Sequence, residues 1–373
     1  MLKKFLVFSL FVGFIVACSS SGGGDGDGDG GGTVVDNFDR GAMLTHIADN
    51  IIIPAYQDFS SQMTLLEGAA QAFNNSPNTF TLEALRTAWY NTYVKWQNVE
   101  LFNIGKAEEL QYAFYMNIYP VNVTDVENNI ANGGYDLNSV NNQDAVGFPA
   151  LDYLLHGVAT NDNDIIAKFS TDANAQGYRT YLMDVVNQMD GLTEQVLNDW
   201  SSSYRNTFVS NDGNTTTSSV NMMVNVFVEY YERKLRANKF GIPAGVFSGG
   251  PLPDRVEALY RGNVSKDLAL QSLQTVEDFF NGKNFSNSST GESFRTYLAY
   301  LQRNDITTSI IDQFAAARVQ IISLMDNFNQ QVISDNSQML MAYDELQKAV
   351  VYLKNDMPSA FNVTIIFIDN DGD

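Results

Sequence analysis

The chain has 373 residues, with 43 acidic side chains against 22 basic ones and two histidines, for a net charge of −21. So acidic a surface repels nucleic acid and excludes DNA or RNA binding. At 45% hydrophobic and 12% aromatic residues there is ample material for a packed core, and the length suits one large or two ordinary domains.

Residues 1–17 have the parts of an export signal. Lys3 and Lys4 precede an apolar stretch from Phe5 to Val16, too short to span a bilayer as a stable helix. The following Ile15-Val16-Ala17-Cys18 resembles the lipobox of bacterial lipoproteins, so cleavage before Cys18 and lipidation there are expected. The alternative is an ordinary secretory signal with an incidental cysteine. Cys18 is the only cysteine, so no internal disulfide exists to claim it. Residues 18–39, which contain SSSGGGDGDGDGGG, have almost nothing to bury and are expected to be a tether, with a root-mean-square reach of roughly 25 Å. Their Asp-Gly alternation lacks the closing bidentate carboxylate of a calcium loop. A lipid at Cys18 would place the chain at the cell envelope, expected at the outer membrane on its periplasmic or surface face.

Beyond the tether the apolar spacing is helical. Stripes run through 42–73, 81–103, 178–200, 219–239, 265–280, 294–301, 306–332 and 338–353. Pro54 predicts a kink or break near Ile52 and Ile53. Gly241 and Pro243 predict the end of the 219–239 helix, with Arg233, Lys234, Arg236 and Lys239 serving its C-terminal dipole. Residues 121–146 and 206–218 are polar enough to be non-helical, and the second stretch marks a boundary. Residues 361–368 suggest an extended tail, followed by a DNDGD end. The expectation is an all-α fold of two antiparallel bundles of about four helices each, spanning 40–205 and 206–373.

Four stretches together resemble the imelysin-like family of bacterial envelope proteins. They are ADNIIIPAY (48–56), LRTAWYNTYVKWQNVELFNIG (85–105), GFPALDYLLHG (147–157) and VEALYRGNVSKDLALQSLQTVEDFFNG (256–282). The resemblance implies two helical halves with a ligand site at their junction, and an association with iron or haem uptake. Some relatives carry a peptidase label. The family signature Gly-x-His-x-x-Glu becomes Gly147-x-Pro149-x-x-Asp152 here, which removes the histidine.

The residues that could carry chemistry are few. Pro149 suits a first helical turn. Asp152 either stabilises that helix N-terminus or serves the site. His156 lies one turn after Asp152, as a substitute ligand pair or as filler of an aromatic position. His46 and Asp49 have ligand spacing, or sit on an ordinary helix surface. Glu100 continues the stripe Leu82-Leu85-Trp89-Tyr93-Trp96, so it should point inward and need a partner, either structural, such as Arg86, or functional, facing Asp152 across the junction.

HExxH, Gly-x-Ser-x-Gly and nucleotide-binding signatures are absent. Iron, haem or another divalent cation, bound through carboxylates and at most one histidine, remain open. The leading expectation is a lipid-anchored binding or accessory protein for iron or haem acquisition, partnered by the membrane and by uptake components. A metallopeptidase, disfavoured by Pro149, and an interaction or glycan-binding lipoprotein are the alternatives.

Overall fold

The computed structural model describes residues 36–367. The leader, Cys18, the whole Gly/Asp run and the DNDGD end lie outside the described residues. Among the described residues there is no strand, only one isolated antiparallel bridge between Lys283 and Thr290, and the fold is all-α.

The first helix, α1 (Arg40–His46), starts on Asp39, whose carboxylate accepts the Ala42 N–H at 2.8 Å. It runs through a π-helical turn, Ile47–Ile52, into α2 (Ile53–Asn75), so the break expected at Pro54 takes the form of that wider turn. Proline offers no N–H to the carbonyl four residues back. That carbonyl, of Asn50, instead accepts the N–H of Phe285 at 2.8 Å and ties α2 to a distant loop.

Helix α3 (Thr79–Trp96) opens with a reciprocal capping box between Asn78 and Thr81 and ends earlier than its stripe suggests. Glu100 lies past its end, in a turn whose Glu100 N–H still bonds the Trp96 carbonyl at 3.0 Å. That bond keeps Glu100 on the inward side. The stretch 121–146, expected to be non-helical, contains α4 (Val123–Asn132), capped by Asn122, and the 3₁₀ turn Val140–Ala145. Helix α5 (Gly147–Asp152) continues as a π-turn, Tyr153–Gly157, and α6 (Asp162–Ser170) follows. Helix α7 (Ala175–Asp199) leads into further helical turns that reach Ser210, so only 211–218 of the expected linker is loop.

In the second half, α8 (Ser219–Glu229) passes into a long π-helical stretch, Tyr230–Gly241, and a last turn, Ile242–Ala244. The helix therefore runs through Gly241 and Pro243 and stops at Gly245, which takes φ +83°. Next come α9 (Ser265–Phe280), α10 (Phe294–Tyr300), α11 (Asn304–Ser323) and α12 (Phe328–Val351). The expected single helix 306–332 is thus two, parted at 324–327. Residues 364–366 run extended beside α8, with Asn225 donating to Thr364 O and accepting from Ile366 N–H, in line with a docked tail.

Packing is local within each half. Helix α2 lies against α3 and α7, α11 against α9 and α12, and Tyr230–Gly241 against α12. The contact of α3 with α9 joins the two sets. Trp89, Trp96, Phe59 and Phe148 fill the first half, where Phe148 stacks on Tyr93 at 4.3 Å between centroids and its carbonyl accepts the Trp89 indole N–H at 3.2 Å.

Candidate functional site

Where α3 meets α9, the core turns polar. Lys239 and Glu257, both buried, form a direct ion pair. Lys239 comes from the π-helical stretch, while Glu257 sits in the loop before α9. The second Glu257 oxygen accepts the Asn117 amide at 2.8 Å and the Gln97 amide at 3.2 Å. Gln97 Oε1 in turn accepts from Lys239 Nζ at 3.0 Å and from the Ser272 hydroxyl at 2.7 Å, and Tyr93 donates to Asn117 at 2.5 Å. Every member is satisfied by another, which is the condition for burying charge without large loss.

Glu100 stands beside this network but is not absorbed by it. Its nearest cation, Lys234 Nζ, is 4.0 Å from Oε1, and Oε2 is buried without a hydrogen-bond partner. Burial pushes the Glu100 carboxyl above the usual range, and Lys234 and Lys239 pull it partly back. Tyr230 Oη is also buried without a hydrogen-bond partner, with the Ser272 hydroxyl and the Glu100 carboxyl in its surroundings. Burial holds the Tyr119 and Tyr230 phenols far above the ordinary value, and Glu100 and Glu257 add to that, so both are neutral O–H groups. A narrow cleft of about 80 Å³ leads to Glu100 past Phe114, Tyr230, Arg233 and Lys234.

The other candidates stand apart. Asp152 does not stabilise the N-terminus of its own helix. It closes the C-terminal end of α5, where its two oxygens accept the N–H groups of Tyr260 and Arg261 at 2.9 Å each. That fixes the loop that carries Glu257. Burial raises its pKa to about 7, against the pull of those two N–H groups. Pro149 lies in the first turn of α5, as expected, and Gly147 adopts φ +72° against the Met116 carbonyl.

His156 makes an edge contact with Trp89 at 5.4 Å between centroids, and its Nε2 is buried without a partner. Burial, then Arg86 and Arg261, depress it to about 3, so it is neutral. Nothing couples it to Asp152. His46 bonds the Gly282 carbonyl at 2.9 Å and Asn50 at 3.3 Å, while Asp49 holds Arg205 through two bonds of 2.9 and 2.6 Å. The two therefore point to different partners. Arg86, offered as a partner for Glu100, instead binds the Leu155 carbonyl, Glu83 and Asp162.

Among the described residues, no three of His, Cys, Asp and Glu converge as a metal-holding group. At the junction itself one carboxylate is already paired with an ammonium, and Lys234 and Lys239 both face the other. This donor set, already balanced by ammonium groups, does not fit a bare divalent ion.

Sequence reasoning missed Glu257, Lys239, Gln97 and Asn117. The signal for Lys239 was present: Tyr231, Leu235 and Lys239 recur every four residues, and all three are buried.

The described residues thus form an all-α body with a buried, charged centre where α3 meets α9. The chain belongs to the imelysin family, assigned as peptidase M75, whose profile matches residues 52–357. It resembles the solved structure of a protein described as an iron-regulated protein A precursor from Parabacteroides distasonis, with TM-score 0.73 and 18% identity over 90% of this chain and 98% of that one. An imelysin-like protein from Psychrobacter arcticum 273-4 gives TM-score 0.69 and 18% identity over 88% of this chain and 97% of that one. A curated relative, Iron-regulated protein A of Synechococcus elongatus, is 30% identical over 73 residues. The match spans about 20% of this chain and 20% of that relative.

Proposed function

We propose that this chain is a lipid-anchored, non-hydrolytic binding protein serving iron acquisition at the cell envelope, with its ligand held at the junction beside Glu100. Membership of the imelysin family, with relatives named for iron regulation, supports the iron role. The observation that carries the choice of site is the buried, unpartnered Glu100 Oε2 at the foot of a cleft. Because Lys239 and Lys234 already neutralise the centre, iron would arrive complexed, as a chelate or as haem, and not as a bare ion. The anchor is Cys18, and the partners would be iron-uptake components of the same membrane.

The peptidase alternative needs a metal-activated water and a base. A centre with Pro149 in place of the signature histidine, and with Glu257 paired to Lys239, favours the binding reading.

The test is uptake of labelled iron by cells that lack the chain, under iron limitation. Reduced uptake, restored by the intact chain and not by a Cys18→Ser form, is the expected result. Unchanged uptake in the deletion would refute the iron role.

A further inference from the structure

We infer that the cleft above Glu100 holds one carboxylate group of a small organic acid or of a carboxylate-bearing chelate, on Lys234 Nζ, the Tyr230 hydroxyl and the Glu100 carboxyl. This deepens the preceding reading and rests on its assignment of the junction as the ligand site.

Three observations carry it. First, two groups lining the cleft suit an oxyanion. Tyr230 Oη is a neutral donor with no good acceptor, and Lys234 Nζ is 4.0 Å from Glu100, too far to spend its N–H groups there. Second, Glu229 neutralises Arg233 at the approach through a 2.8 Å pair, which leaves Lys234 as the cation an entering group meets beside Glu100. Third, the space is small. About 80 Å³ is two to three times the volume of a water molecule, enough for a carboxylate head while the rest of its molecule stays outside.

Proton linkage follows from the same geometry. Glu100 is faced by Lys234 and Lys239, by Glu257, by Tyr93, Tyr119 and Tyr230, and by the Asn117 amide. Two lysines balance two glutamates when Glu100 is ionised. An added carboxylate needs one negative charge removed, and Glu100 is the group whose ionised form burial already disfavours. Protonated, its O–H donates to the incoming oxygen. Binding should therefore take up a proton and weaken as pH rises.

The experiment is calorimetric titration of the purified mature chain with iron-free citrate, ferric citrate and ferrous ion alone, at pH 5.5 and pH 8. The wild type is expected to bind both citrate forms, about tenfold more weakly at pH 8. Glu100→Gln, which keeps a neutral donor, should bind with that pH dependence gone. Lys234→Met should lose about tenfold in affinity at both pH values, and Lys234→Arg should restore binding, which separates the lost charge from a folding defect. Absence of citrate binding, binding that strengthens with pH, binding indifferent to Lys234→Met, or ferrous ion captured alone and lost in Glu100→Gln would each overturn the inference. Citrate binding of the expected kind alongside unchanged iron uptake would leave the carboxylate site standing and remove the iron role. Iron uptake that needs the chain, without citrate binding, would do the reverse.

Discussion

Lys239 and Glu257 are each about 98% buried, so each is tolerable only because the other is there. Removing one partner strands a charge in the core. Lys239→Met or Glu257→Gln alone should cost roughly 3–5 kcal/mol, and the double variant well under the sum. Chemical denaturation of the three variants measures this, and additive costs would mean the pair is not coupled.

Two buried groups titrate with opposite signs. Asp152 has its folded pKa raised from 3.8 to about 7, so the folded state holds its proton longer. That contribution is full below pH 3.8 and is lost as pH rises through 7. His156 is depressed from 6.5 to about 3. Its contribution is full above pH 6.5 and is lost as pH falls through 3. Melting curves of Asp152→Asn should therefore lose a decline between pH 4 and 7. Those of His156→Gln should lose an acid-side decline over the same range. Unchanged profiles in both variants would mean that neither residue is as buried in solution as it is here.

The elements were legible where their stripes were continuous and less so where the backbone departs from α geometry. The stripe at 42–73 runs through α1 and α2, and those at 178–200 and 265–280 correspond to α7 and α9, because a 3.6-residue period with a buried face leaves a pattern in the residues themselves. Pro54 marked the π-turn at Ile47–Ile52 only as a break, and the π-helical stretch Tyr230–Gly241 left no such mark. Helix α4 was hidden by asparagines that serve as caps and surface, with only Val126 and Ile130 buried.

The site was half legible. Glu100 was found because a carboxylate on an aromatic stripe must be explained. Glu257 lies in a loop with no period, and its burial is set by Asp152 holding the loop backbone from another helix. Gly147 is the element-scale pivot of that arrangement. A Cβ there would stand 2.2 Å from the Met116 carbonyl, at φ +72°. Gly147→Ala should lower the melting temperature by several degrees and loosen α5, since it combines a left-handed backbone with a clash. A variant as stable as the parent would show that this junction yields easily.

At the scale of the molecule, a chain of net charge −21 places Arg233 and Lys234 at the mouth of this cleft, on one helical stretch. Within so acidic a chain, Lys234 is the cation that an anionic group entering this cleft would meet. The lipid expected at Cys18 would keep this body at the envelope, so Cys18→Ser should move it from the membrane fraction to the soluble fraction. Retention at the membrane would place the anchor elsewhere.

Because the protein's own lysines neutralise this centre, no resident metal ion is expected there. Elemental analysis of the gently purified chain, after dialysis against a chelator, tests it most directly. The account predicts less than a tenth of an equivalent (an order-of-magnitude bound for a site without a convergent ligand set) of any transition metal, with the melting temperature unchanged by the chelator. One equivalent of metal that survives dialysis in the wild type, and disappears in Glu257→Gln, would contradict it.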